Sequence, residues 1–160
     1  MDTEPRYSLD QANLVFAKKF NGRVWELLEK EERSLEEDEE MVLAAYASYY
    51  HWLHAGGGAH RQRSEWLLAR VYTVLGQPAQ AIVHAQRCLS LTEEQRHLLQ
   101  DFDVAYAYEA MARAYALSGD KEQAEEYRHT AEAAGKRIAD SEDSRIFQGD
   151  LAAGEWYGVH

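Results

Sequence analysis

The chain has 160 residues, 46% of them apolar, and a formal net charge of −11. That length supports one domain with a packed core, and the composition excludes disorder over most of it. Excess negative charge repels phosphate backbones, so nucleic-acid binding is excluded as a main activity.

No apolar run reaches the roughly 20 residues that span a bilayer, so no membrane partner is expected. The opening "MDTEPRYSLD" has neither the basic start nor the apolar core of a signal peptide, which makes a cytoplasmic protein the expectation. Cys88 is the single cysteine and rules out an internal disulfide. In "AIVHAQRCLSL" it reads as a small buried side chain on a helix face rather than a reactive thiol.

Apolar residues recur at a period near 3.6 almost throughout, which predicts an all-α fold of about six or seven helices. Helix 1 is expected over 8–32, capped by Ser8, with Phe16, Phe20, Val24 and Leu27 at helical spacing. The block "ELLEKEERSLEEDEE" (26–40) carries nine acids against two bases and reads as a solvated helix end and loop. It also offers a contact for a basic partner. Helix 2 is expected over 37–54. Val42, Ala45, Tyr46, Tyr49 and Leu53 share one of its faces, with Ala44, Ala47, Ser48 and His51 around the other side. Gly56–Gly58 ends it.

Helix 3 is expected over 60–75 and stops at "GQP", where Gly76 suits the left-handed C-terminal position and Pro78 the first turn of helix 4, over 78–91. In "TEEQRHLLQDFD" two starts for helix 5 stay open, a Thr92–Gln95 capping box or a cap at Asp101 or Asp103. Helix 5 ends near Ser118, helix 6 covers 120–139, and a short helix 7 over 142–153 precedes the tail "GEWYGVH".

Three patterns bear on chemistry. The stretch "YYHWLHAGGGAH" (49–60) gathers His51, His54 and His60, but no carboxylate or cysteine lies within it to complete a metal site. "EQRH" (Glu94–His97) and "EYRH" (Glu126–His129) share the Glu-x-x-His spacing of di-iron helix bundles. In helix 6, however, Ala124, Tyr127, Ala131 and Ile138 mark the apolar face, which turns Glu126 and His129 to water. No P-loop, dinucleotide-binding glycine motif, nucleophile elbow or zinc-protease motif occurs. The expectation is a protein without metal or cofactor and not an enzyme. A metal-dependent helical enzyme using these histidines or Glu-x-x-His pairs stands as the alternative.

Two segments, "EWLLARVYTVLGQPAQAIVHAQRCL" and "YEAMARAYALSGDKEQAEEYRHTAE", align at an offset of 43 residues. Leu68 falls on Met111, Ala69 on Ala112, Tyr72 on Tyr115, Gly76 on Gly119, Ala81 on Ala124 and Cys88 on Ala131. A large apolar residue, a small one, Tyr, a turn Gly and small residues on the second helix make these segments similar to the tetratricopeptide repeat, a helix–turn–helix unit of about 34 residues. The resemblance covers 62–95 and 105–138; 8–54 would be a divergent first pair, and 141–160 a capping helix and tail. Neither unit has the family's usual Pro after its second helix, and the offset leaves about nine extra residues between units. The resemblance implies a right-handed array of antiparallel helix pairs, with alanines letting helix axes approach and tyrosines filling the gaps.

In that family the first helix of each pair lines a concave groove. The alignment then implies groove residues Arg63, Trp66 and Arg70 in one unit and Tyr106, Glu109 and Arg113 in the next. Arg70 and Arg113 would lie side by side. Such a groove suits a protein or peptide partner, an acidic or C-terminal segment above all, because arginines clamp carboxylates and rings stack on apolar side chains. The family's chaperone-tail clamp uses Lys and Asn; Asn is missing from the matched positions, so that ligand is not implied. The countervailing expectation is that these arginines pair with Glu65 and Glu109 and that helix 1 or helix 7 closes the groove. Trp156 and Tyr157 in the tail serve either a homodimer face or a cap folded back on the array.

Overall fold

A computed structural model describes residues 4–160 of the chain. Seven α-helices follow one another as sequential antiparallel pairs, and no strand occurs among the described residues. They are α1 (Leu9–Leu28), α2 (Leu35–Ala55), α3 (Gly58–Val74), α4 (Pro78–Glu94), α5 (Asp101–Ser118), α6 (Lys121–Gly135) and α7 (Ser141–Ala152), with a short 3-10 turn at Arg96–Leu98. None of the described helices is long and apolar enough to cross a membrane.

Local sequence explains most boundaries. Ser8 caps α1 reciprocally with Gln11, and Ser34 caps α2 with Glu37. Helix α2 therefore begins two residues before the expected 37, inside the acidic block, whose carboxylates at Glu36, Glu37 and Asp38 sit at the positive end of the helix dipole. Helix α1 stops at Leu28 rather than 32. Of the two open starts for α5, the later one holds, but with Gln100 rather than Asp101 or Asp103 at the N-cap: α4 runs through Thr92, whose hydroxyl donates to the Cys88 carbonyl at 2.8 Å, and Asp103 in the first turn accepts from the Gln100 N–H at 2.9 Å. Helix α6 ends at Gly135, short of the expected 139. Phe147 of α7 lies directly against Gly135, and the chain turns there so that Ile138 is also buried.

Several of the positions paired by the 43-residue offset have similar surroundings, although Arg70 and Arg113 do not. Gly76 and Gly119 both adopt left-handed conformations, with φ of 71° and 87°. Each closes the same turn: Gln77 N–H reaches the Tyr72 carbonyl at 2.9 Å, and Asp120 N–H the Tyr115 carbonyl at 3.1 Å. Ala69, Ala112, Ala81, Ala124, Cys88 and Ala131 are all buried. Tyr72 stacks on His84 at 5.5 Å and 12°, and Tyr115 on Tyr127 at 5.8 Å and 2°. Burial pushes the Cys88 thiol far up, consistent with a packing role.

Helix α2 departs from its expected arrangement. Its small residues Ala44, Ala45 and Ser48, together with Met41, are the buried ones. Val42 and Tyr49 are half-buried, while Tyr46 and Leu53 reach the surface. The close approach of α1 accounts for this: the Ser48 hydroxyl donates to the Ala17 carbonyl at 2.8 Å, a contact that a larger side chain would prevent.

Candidate functional site

Helices α1, α3 and α5 line a common groove of about 410 Å³, with Asp150 of α7 also on its wall. Its walls are Trp25, Trp66, Phe102 and Tyr106, with Arg63 and Asp103 among the polar groups. The rings form a connected set. Trp25 stacks on Trp66 at 6.0 Å, Tyr106 meets Trp66 edge-on at 5.6 Å, and Phe147 backs Tyr106 at 4.9 Å. Periodicity positions them: Trp66 and Arg70 are one turn apart on α3, and Phe102 and Tyr106 one turn apart on α5.

The six groove residues expected from the sequence divide into three groups. Trp66, Arg70 and Tyr106 are half-buried at the groove wall. Arg70 makes no ion pair and no side-chain hydrogen bond among the described residues; it lines a smaller recess of about 110 Å³ with Trp25, Trp66 and Gly154. Tyr106 donates its hydroxyl to Asp150, and burial together with that carboxylate holds its phenol far above the usual range. Arg63 is partly exposed but bidentate on the buried Asp103, at 2.8 and 2.9 Å, with Phe102 beneath it.

Glu109 and Arg113 are each only 3% exposed and pair with one another. Trp66 donates its indole N–H to Glu109 at 3.3 Å. Arg113 spends its remaining donors on the carbonyls of Asp150, Ala153 and Glu155, at 2.8, 2.9 and 3.2 Å. It thus clasps the C-terminal end of α7 and the following tail, where carbonyls have no helical partners. Its guanidinium also covers one face of Trp156 at 4.2 Å, and Arg128 covers Trp156 at 4.3 Å. Trp156 and Val159 are buried, so the tail folds back as a cap on α5 and α6. Of the countervailing sequence reading, the Arg113–Glu109 pair is present, whereas Arg70 pairs with neither Glu65 nor Glu109.

Sequence reasoning missed Trp25; of its two readings of the tail, a homodimer face or a cap folded back, the structure shows the cap. Trp25 belongs to α1, which has no aligned partner segment. Its signal was a lone Trp among the charged residues of 23–33.

A second polar cluster lies between α2, α3 and α4. The His84 Nδ1–H donates to Glu65 at 2.6 Å, Tyr49 donates to the other Glu65 oxygen at 3.1 Å, and the Tyr46 hydroxyl sits 3.1 Å from His84 Nε2 and 3.2 Å from Tyr72. Burial and the Tyr72 contact push the Tyr46 phenol up to about 12. Glu65 and His84 are each 5% exposed, and every member of this network has a partner.

The histidines of the 49–60 stretch go three ways. His51 bonds Asn13 at 2.8 Å beneath Phe16 and Phe20, His54 lies exposed against Tyr50, and His60 stacks on Trp52 at 3.9 Å and accepts from Gly57 N–H at 3.2 Å. Burial lowers the His60 pKa below its ordinary value. Glu94, His97, Glu126 and His129 are all exposed. Among the described residues no three His, Cys, Asp or Glu side chains converge as metal ligands do. No protein-family model matches the chain, and neither a curated protein nor a solved structure matches it.

Proposed function

We propose that this chain is a non-catalytic interaction module, a tetratricopeptide-like right-handed helical array that takes a peptide segment of a partner protein in the groove of α1, α3 and α5. The observation that carries the reading is the Trp25–Trp66–Tyr106 ring set beside an arginine with no partner, Arg70. Recurrence of the Tyr72–His84 and Tyr115–Tyr127 stacks, and of the two glycine turns, at one fixed offset supports the array.

The groove chemistry narrows the ligand. Stacked rings receive an apolar or aromatic side chain. Arg70 supplies a forked donor for one carboxylate. An extended peptide ending in an apolar residue with a free C-terminal carboxylate satisfies both. Arg113 is not available to it, because its donors already hold the tail.

A panel of short peptides, each made with a free and an amidated C-terminus, tests this through the fluorescence of Trp25 and Trp66. Free-acid peptides with an apolar last residue should bind and their amidated forms should not. Arg70→Glu should abolish binding while circular dichroism stays unchanged. Equal binding to wild type and Arg70→Glu would refute the carboxylate role, and indifference of Trp66→Ala would refute the groove.

A further inference from the structure

On a chain with a formal net charge of −11, a recess lined by two arginines, a histidine and a tyrosine against a single acid runs against the overall sign. It has a volume of about 380 Å³ and lies where α5 begins and α6 ends. Arg96 from the 3-10 turn and Arg137 from the segment after α6 border it, with His129 on α6 and Tyr108 on α5. The one acid on its rim is Asp101, and an oxygen of that carboxylate accepts from the Ala139 N–H at 2.9 Å.

Half of the twelve arginines are paired. Arg23, Arg33, Arg63, Arg113, Arg128 and Arg145 all meet carboxylates within 4.0 Å. With 28 acids against 17 bases, partners are plentiful. Yet neither Arg96 nor Arg137 makes an ion pair or a side-chain hydrogen bond among the described residues, and the Tyr108 hydroxyl is likewise without a partner. Each arginine follows a helix C-terminus, where a cation is favoured by a few tenths to about 1 kcal/mol. That preference explains each one singly. It does not explain two guanidinium groups, an imidazole and a phenol bordering one recess with so little acid among them.

We propose that this recess binds the phosphate group of a small phosphorylated molecule. Arg96 and Arg137 supply bidentate donors to its oxygens, and the Tyr108 hydroxyl supplies a third contact. The volume lies in the range of small-molecule sites, so an organic part fits beside the phosphate. The half-buried Tyr108 ring and the Ala133 side chain give that part a surface to rest on. This inference is independent of the peptide groove, which opens between α1, α3 and α5.

Titration with inorganic phosphate and with phenyl phosphate at constant ionic strength, followed by amide NMR, tests it. Saturable shifts should centre on Tyr108, His129 and Thr130, and phenyl phosphate should bind at least as tightly as inorganic phosphate. Arg96→Gln with Arg137→Gln should weaken both by at least about ten-fold. Arg6→Gln with Lys18→Gln, an equal charge change away from the recess, should leave both unchanged. Both double variants alter exposed side chains and should fold. Shifts that fail to saturate, equal losses in the two double variants, or weaker binding of phenyl phosphate than of the free ion would overturn the proposal.

Discussion

The guanidinium of Arg113 lies 4.2 Å from the Trp156 ring centre, 43 residues away in sequence, while the same guanidinium binds three tail carbonyls. Trp156 is therefore the anchor of the C-terminal cap. Trp156→Ala should cost about 3–5 kcal/mol of stability, read by urea denaturation, because it removes a buried indole held between two cations. Proteolysis should then cut first near Gly154–Gly158. Arg113→Ala should cost about 3–5 kcal/mol as well, since it leaves the buried Glu109 carboxylate without its cation. A tail as protease-resistant in Trp156→Ala as in the wild type would contradict this assignment.

Two helical glycines should respond oppositely to alanine. A Cβ at Gly22 meets nothing within 4 Å, so Gly22→Ala should stabilise α1 by roughly 0.5–1 kcal/mol. A Cβ at Gly135 overlaps the Phe147 ring, which is fully buried and has little room to yield. Gly135→Ala should cost roughly 1–3 kcal/mol. Thermal melts of the two variants side by side check both signs.

The Glu65–His84 pair carries the greatest risk for the core. His84→Leu leaves a buried carboxylate with only the Tyr49 hydroxyl, and should cost about 3–5 kcal/mol. Adding Glu65→Gln should recover part of that loss, because the orphan is then a neutral amide. Failure of the double variant to exceed His84→Leu in stability would show that packing of the imidazole on Tyr72, rather than its hydrogen bond to Glu65, dominates.

Alkaline stability should follow the tyrosines. The folded chain holds the Tyr46 proton up to about 12, and the Tyr106 proton is held higher than normal too. The unfolded chain releases both near pH 10. Between those values the folded state binds more protons than the unfolded one, so stability falls as pH rises. Below pH 10 both states are protonated and the effect vanishes. Tyr46→Phe should flatten the decline between about pH 10 and 12, measured as melting temperature against pH.

Helix number, order and most turns were legible because they depend on contacts within a few residues. Ser8, Gly76, Pro78 and Gly119 act through their own backbone neighbours. The start of α2 was legible as well but overlooked: Ser34 and Glu37 have the capping-box spacing, hidden in a block read only for its charge. The end of α6 depended on Phe147, a residue from another helix, and no local pattern announces that. The groove was readable where a repeat alignment existed. Trp66, Arg70 and Tyr106 came from it; Trp25 did not. The alignment also gave Arg113 its position but not its work, because the tail that consumes its hydrogen bonds has no counterpart in the first segment.

Asp103 merits a last consideration. Its carboxylate caps the start of α5 and grips Arg63, while its backbone carbonyl accepts from Gln62 at 3.1 Å. One residue therefore bolts the first turn of α5 to the first turns of α3. The spacing between those two rods cannot breathe without rupturing several bonds together. An incoming chain would meet a cleft already set to its final width, and little of the recognition energy would be diverted into reshaping the receptor.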